Sequence, residues 1–173
     1  SHKNWEQNLP TLCNQLKDII NHHKGVRGLI HASSYNKAWQ IAERLGSKRV
    51  ITHLPEDFAA KMQEFLATPD AVFISPSCFE GVDLHDDKCR FNVLTALPYP
   101  SAGEGYYQRL LANNGWNLYN TVCMRQIGQA LGRAVRHKED QCVNYLLDKR
   151  FLPFLQKMGK VLPLWFKEAL HIT

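Results

Sequence analysis

The sequence AVFIS at residues 71–75 decides the fold class, because it is a short, uninterrupted apolar run that ends in a serine. A run of this kind is typical of a strand buried on both faces, and such strands belong to parallel sheets covered by helices. Comparable short runs occur at residues 28–32 (GLIHA), 49–52 (RVIT), 91–96 (FNVLTA) and 142–147 (CVNYLL). We therefore expect a mainly parallel sheet, with 142–147 among its buried strands.

Helical patterns separate these strands. Apolar residues recur at three- and four-residue steps over residues 5–20, 38–45 and 58–66, and a helix cap fits within residues 33–36 (SSYN) before the second run. The third run, opened by Pro55, has an apolar stripe made of Phe58, Met62, Phe65 and Leu66. Further helices are expected over about 106–111, about 119–137 and about 164–170. Strands that alternate with helices predict an α/β fold in which helices cover both faces of the sheet.

The composition is that of one ordinary globular domain, which we expect to extend over residues 1–173. The net charge of +5 permits a nucleic-acid partner without demonstrating one. The five cysteines form no Cys-x-x-Cys pair, which favours a reducing compartment and predicts no metal site. No apolar run is long enough for a membrane span, and both ends are abrupt, so we expect a piece of a longer chain.

Three polar segments are expected at the carboxyl edge of the sheet, where parallel α/β sheets bind their ligands. They are SSY at residues 33–35, SPSCFEGVD at 75–83, and the approach to the helix that holds Arg133. Their predicted convergence is the structural reason to interpret them as one working surface.

The segment QALGRAVR carries two guanidinium groups three residues apart. On a helix, Gln129, Arg133 and Arg136 share a face, and Gly132 lets a phosphate or another backbone come close. Two planar cations on one face suit a polyanion such as a nucleoside triphosphate. The alternative is a solvated basic helix face.

The segment SPSCFEGVD places Gly81 between two acids. Backbone amides can approach a phosphate or a sugar at such a glycine, and Asp83 could accept a hydrogen bond from a ribose hydroxyl. As an isolated motif it is equally typical of a loop acid that is satisfied by its neighbours.

Taken in order, these segments resemble the second RecA-like motor domain of superfamily two helicases of the XPD/DinG branch. LIHASSY (29–35) resembles motif IV, residues 72–83 resemble motif V, LPYP (97–100) resembles the segment that follows, and residues 125–136 resemble motif VI. LLDKRF (146–151) and GKVLPLW (159–165) are similar to the family's closing segments, so the resemblance covers roughly residues 25–170. Asp140-Gln-Cys142 departs from the family's Asp-x-Gly, and the serines around Pro76 are also unusual.

The resemblance implies a RecA-like three-layer α/β/α fold and a role for each site residue. It implies catalytic roles at ATP for Arg133 and Arg136, as arginine fingers, and for Gln129. It implies an ATP-binding group made of Glu80, Gly81, Asp83 and Gly132. It implies a nucleic-acid track made of Ser33, Ser34, Tyr35 and Ser75. Alternatives stay open, since Ser34 could only cap its helix, Tyr35 could be packing, and Glu80 could only hold an arginine in place.

The resemblance also implies a missing half. Neither a phosphate-binding Gly-x-x-x-x-Gly-Lys-Ser/Thr loop nor an Asp-Glu pair for magnesium occurs in the sequence. ATP and Mg²⁺ would be held mainly by a first motor domain in cis, which in many members also carries an iron–sulfur cluster that the cysteines here do not match. The implied activity is that of an ATP-dependent DNA helicase, typically 5′ to 3′ on single-stranded DNA. It would be located in the cytoplasm, or in the nucleus of a eukaryote, and the fragment alone would be inactive.

Two alternatives remain beside the motor. One is a non-catalytic nucleic-acid- or protein-binding module that has a RecA-like fold. The other is an unrelated small-molecule enzyme, against which the missing glycine-rich turn after residues 28–32 counts.

Overall fold

A five-stranded parallel sheet forms the centre of the computed structural model, which describes residues 2–76, 83–132, 139–159, 162 and 164–168. The strand order is β2-β3-β1-β4-β5, and every pair is parallel. The strands are β1 (Gly28–His31), β2 (Val50–Thr52), β3 (Val72–Ser75), β4 (Phe91–Leu94) and β5 (Val143–Leu146). The α/β fold with a mainly parallel sheet, predicted from the apolar runs, is thereby confirmed.

Helices precede, connect and follow the strands. They are α1 (His2–His22), α2 (Tyr35–Leu45), α3 (Phe58–Ala67), α4 (Gly105–Ala112), α5 (Trp116–Leu131), α6 (Phe151–Met158) and α7 (Leu164–Glu168). Short 3₁₀ turns lie at Pro55–Asp57 and Asp86–Lys88. Within the described part of the chain, none of the helices has the length and apolarity that crossing a membrane requires.

The two faces of the sheet are covered by different helices, which makes three layers. All four residues of β1, β3 and β4 are buried. Ile30, Ile74 and Val93 point to one side, where they pack with α1 and α2. Leu29 and Phe73 point to the other side and pack with α3, and Leu94 joins α5 and α6 there. Alternate residues of a strand face opposite sides, so uninterrupted apolar strands are what two covered faces require.

A guanidinium group ties α1 to the sheet at the opposite, amino edge. Arg49 donates from Nη1 to the carbonyl of Ile20 at 2.9 Å and from Nη2 to those of His23 and Val26, both at 3.0 Å. Its Nε also donates to the carbonyl of Asp70 at 2.7 Å. The last carbonyls of a helix have no partners within the helix, so one arginine satisfies the end of α1 and fixes its position.

Close packing at the start of β1 explains the glycine at position 28. A Cβ atom at Gly28 would lie 2.1 Å from the ring of Phe91 on the neighbouring strand. The aromatic ring thus occupies the space that any other side chain would need.

Several predictions of local structure need correction. Strand β5 lies at the edge of the sheet, with Val143 49% exposed, and is not buried as its apolar composition suggested. Leu66 is 38% exposed and does not belong to the buried stripe of α3. Helix α5 ends at Leu131, and residues 133–137, the last part of the predicted helix, lie outside the described residues. Helix α6 was not predicted.

Candidate nucleotide and nucleic-acid interface

A cavity of about 220 Å³ lies at the carboxyl edge, where β1, β3 and β4 end side by side. Its walls are the ends of these strands, the segment after β4, and α5. The lining residues are His31, Ala32, Ser33, Pro76, Ala96, Leu97, Pro98, Tyr99 and Gln126. The SSY segment (residues 33–35), through Ser33, and the LPYP segment (residues 97–100) therefore meet at this edge of the sheet.

Ser33 and Ser34 have different surroundings at this edge. Ser34 is the N-cap of α2, and its hydroxyl accepts a hydrogen bond from the amide of Lys37 at 3.3 Å. Ser33 is exposed, and its hydroxyl accepts from Nζ of Lys37 at 2.9 Å. The open alternative that Ser34 caps its helix is thus seen in the structure. Lys37, which the sequence reasoning passed over, brings a positive charge to the rim of the cavity.

Tyr35 and Ser75 both contact a buried histidine. The His53 ring stacks on Phe73, with centroids 5.2 Å apart, and meets the edge of Tyr35 at 5.4 Å. Its Nδ1 lies 2.9 Å from the carbonyl of Leu54, and its Nε2 lies 2.8 Å from the hydroxyl of Ser75. A carbonyl only accepts, so Nδ1 carries the hydrogen, and in the neutral ring Nε2 accepts from Ser75.

Burial separates Ser75 from the other residues assigned to the track. Its side chain has no solvent exposure, whereas Tyr35 is half-buried. Direct contact of Ser75 with a phosphate is not supported by this burial. Its hydroxyl instead fixes the end of β3 against His53, at the point where the motif V-like segment begins.

The LPYP segment is held in place by a carboxylate that follows β5. Asp148 accepts a hydrogen bond from the amide of Leu97 at 3.1 Å and from the amide of Arg150 at 3.0 Å, and it forms an ion pair with the Arg150 guanidinium. Burial by itself raises the pKa of Asp148, but the hydrogen bonds from Arg150 and Leu97 outweigh it and hold the pKa below its ordinary value. Asp148 thereby fixes one wall of the cavity.

His31 forms the floor of the cavity without offering a charge. Its ring is buried, and burial lowers its pKa to about 4, an effect that the neighbouring Asn92 side chain opposes only partly. It is therefore neutral at pH 7. The Asn92 amide also donates to the carbonyl of Ala130 at 2.9 Å and so joins β4 to α5.

Helix α5 leads away from the cavity. Asn120 near its start accepts from the hydroxyl of Tyr99 at 3.0 Å beyond the carboxyl end of β4, while Ala130 near its end lies opposite Asn92 within β4. Gln126 lines the cavity, and Gln129 is half-buried one turn further on. The approach to this helix, which was predicted at the carboxyl edge, thus lies near Tyr99 there, whereas the last turn of the helix lies beside β4 itself.

The arginines and the motif V-like loop are described only in part. Arg133, Arg136, Glu80 and Gly81 lie outside the described residues, so their assignments stay predictions. Gly132 follows α5 and is exposed.

Asp83 is also exposed, and its Oδ2 lies 3.9 Å from Nε2 of His85. The neighbouring network contains Asp86, whose amide is held at 3.2 Å by the buried Asp140 carboxylate, and Arg90, which pairs with Asp140 at 3.1 Å. Asp140 thus organises the start of β5 without the family's glycine two residues later. In the parts of the chain that the structure describes, no group of three His, Cys, Asp or Glu side chains could hold a metal ion.

The chain belongs to the helicase C-terminal domain family, whose pattern matches residues 16–169. It is similar to the ATP-dependent DNA helicase CHL1 of Candida albicans, with 34% identity over 112 residues that cover 54% of this chain and 13% of that protein. CHL1 of Vanderwaltozyma polyspora is 35% identical over 89 residues, which cover 42% of this chain and 11% of that protein. The chain thus spans only a small part of these relatives.

Solved structures share the fold. One named XPD_APO has a TM-score of 0.66 and 23% identity, covering 86% of this chain and 33% of its own. The Dbp5 C-terminal domain of S. cerevisiae has a TM-score of 0.59 and 13% identity, covering 96% and 83%. The RecA-like fold and the XPD/DinG-type C-terminal helicase domain, both predicted from the motifs, are confirmed.

Proposed function

We propose that this chain is the C-terminal motor half of an ATP-dependent DNA helicase, and that residues 1–173 act as one domain beside a first RecA-like domain in cis. The observation that carries the proposal is the helicase family match over residues 16–169, on a fold whose motifs stand in helicase order. The curated relatives named above are called ATP-dependent DNA helicases, but the chain covers 13% or less of each.

On the nucleotide side, we assign Arg133 and Arg136 to the triphosphate. Guanidinium groups stabilise charge that develops on a transferring phosphoryl group, and this is the chemistry that ATP hydrolysis needs. Gln129, exposed Gly132 and exposed Asp83 keep accessible surface, which fits positions at a cleft closed by another domain. We assign magnesium to the other motor domain, in keeping with the family resemblance and with a sequence that has neither a phosphate-binding loop nor an Asp-Glu pair.

On the nucleic-acid side, we assign the rim of the cavity to the backbone of a single strand. The exposed hydroxyl of Ser33 and the ammonium of Lys37 are donors of the kind that hold phosphates. Tyr35 presents a half-buried ring beside them. Ser34 and Ser75 support this rim, one as a helix cap and the other against His53.

The decisive experiment measures ATP hydrolysis stimulated by single-stranded DNA in the full-length protein that carries both motor domains. The variant Arg133→Ala should lower the stimulated rate by about 10³-fold or more, the range expected for an arginine finger. The matched control is Arg44→Ala, which removes an exposed arginine of α2 that is assigned to neither side of the site, and it should leave the rate unchanged.

An unchanged rate in Arg133→Ala would reject the finger assignment. If the full-length protein hydrolyses no ATP but binds single strands regardless of nucleotide, the motor itself is rejected in favour of a non-catalytic binding module.

A further inference from the structure

Five aromatic rings form a continuous cluster that begins at the cavity and ends at the surface. This aromatic ladder consists of Tyr99, Tyr119, Tyr107, Tyr106 and Trp116. Tyr99 stacks on Tyr119 with ring centroids 5.0 Å apart. Tyr119 meets Tyr107 at 5.8 Å and Trp116 at 6.2 Å, and Tyr107 meets Tyr106 at 5.1 Å, all edge to face.

The inner rings of the ladder are fixed, whereas its two outer rings, Tyr106 and Trp116, are open to solvent. Tyr119 is only 6% exposed, and its hydroxyl donates to the carbonyl of Pro100 at 2.7 Å. Tyr99 is held by Asn120. Tyr106 and Trp116, in contrast, are 57% and 51% exposed. Large rings that are exposed yet supported from behind are pre-organised to bind a flat partner at low entropic cost.

The charges around the ladder favour an anionic partner. Arg109 is exposed on α4, one turn after Tyr106, with Nη1 only 3.7 Å from the Cβ position of Gly105. Arg125 is exposed on α5. Over residues 97–132 the sequence contains a single acid, Glu104, beside these two arginines. Aromatic faces combined with guanidinium groups are what proteins use to bind single-stranded nucleic acid, because every base offers a π-face and every linkage a phosphate.

We propose that Tyr106 and Trp116 stack on bases of a single strand, with Arg109 at its phosphates, and that the ladder continues the binding track from the cavity beyond Tyr99. The inference rests on the proposed function, since it extends the nucleic-acid side of that site to α4 and the start of α5. Tyr107 and Tyr119 are positioning residues that hold the two exposed rings.

The experiment measures binding of a fluorescent 20-nucleotide oligo-dT to the full-length protein by fluorescence anisotropy at low salt. Each of Tyr106→Ala and Trp116→Ala should weaken binding by about 5- to 150-fold, the range of one stacked base. Tyr106→Phe keeps the ring and should bind like the unaltered protein. The matched control is Leu118→Ala, which removes an apolar side chain of similar exposure (48%) from α5, the helix that carries Trp116. It should have no effect on binding.

A second ligand separates stacking from every other role. On an oligonucleotide of equal length that lacks bases, the unaltered protein and both alanine variants should bind equally weakly. The ladder proposal is overturned if Tyr106→Ala and Trp116→Ala bind oligo-dT normally, or if they lose as much affinity for the abasic strand. It is also overturned if they disturb only a protein contact, seen as lost ATPase with unchanged oligonucleotide affinity. Failure of the unaltered protein to bind oligo-dT at all would instead reject the proposed function.

Discussion

Replacing Asp148 by alanine should lower the free energy of unfolding by about 3 kcal/mol and loosen the cavity wall. The amide of Leu97, a residue only 6% exposed, would lose its partner, which costs about 1–3 kcal/mol for a buried donor. The turn amide of Arg150 adds about 0.5–1 kcal/mol. The Arg150 side chain is 63% exposed, so its ion pair adds less than about 1 kcal/mol.

Urea denaturation followed by circular dichroism at pH 7 measures this loss in Asp148→Ala. The control Arg150→Ala removes only the ion pair and should lose less than about 1 kcal/mol. If the two variants lose equally, or if Asp148→Ala loses less than about 1 kcal/mol, the buried amide is not what Asp148 stabilises.

The lowered pKa of Asp148 predicts that its contribution to the free energy of unfolding depends on pH. Its pKa is lower in the folded protein than the ordinary value of 3.8, since hydrogen bonds from Arg150 and Leu97 outweigh burial. Its contribution to stability is therefore complete above the ordinary pKa and is lost as the pH falls through the lower, folded value. The stability difference between the unaltered protein and Asp148→Asn should be constant between about pH 7 and 5 and should shrink below about pH 4.

Three further predictions concern the fold and the rim of the cavity. Arg49→Ala should lower the free energy of unfolding in urea by about 2–4 kcal/mol, because several carbonyls lose a charged donor. The control Lys48→Ala, at an exposed position, should change this free energy by less than about 0.5 kcal/mol. Gly28→Ala should lower the thermal midpoint by an amount equivalent to about 1–3 kcal/mol or more, since its Cβ would overlap the Phe91 ring, and an unchanged midpoint would contradict this packing. Ser34→Asp keeps the helix cap, so it should preserve the free energy of unfolding while reducing the affinity for the oligonucleotide. Ser34→Ala should lower the free energy of unfolding by about 1 kcal/mol. Normal oligonucleotide affinity in Ser34→Asp would show that Ser34 acts only as a helix cap.

The fold was predictable because the apolar composition of the central strands indicates that they are buried. Residues 71–74 are all apolar because both faces of β3 are covered, and Ser34 and Pro55 lie at the starts of their helical elements. Strand β5 misled the prediction because apolar composition cannot distinguish an edge strand from a central one. Position in the sheet depends on pairing between distant residues.

The candidate site was predictable only as a set of segments. The sequence pattern predicted residues 33–35 at the carboxyl edge, and the structure brings Ser33 to a cavity there, which the LPYP segment also lines. The hydrogen bond between Ser75 and His53 was not predictable, since His53 lies 22 residues away and belongs to no recognised motif. Gln126 was missed for a similar reason, because the direction of α5 relative to β4 decides which of its turns reaches the cavity.

The position of α1 bears on where this protein can be cut. The family match starts at residue 16, in the middle of α1, yet Trp5, Leu9 and Leu12 pack on the core ahead of that point. Trp5 also donates to Gln40 and lies beneath the ammonium of Lys37, which reaches Ser33 at the cavity. A recombinant fragment that begins at residue 16 would expose to solvent the apolar surface that Trp5, Leu9 and Leu12 cover, and Lys37 would lose its contact with Trp5. We expect this fragment to aggregate, whereas a fragment that keeps the whole of α1 should remain monomeric.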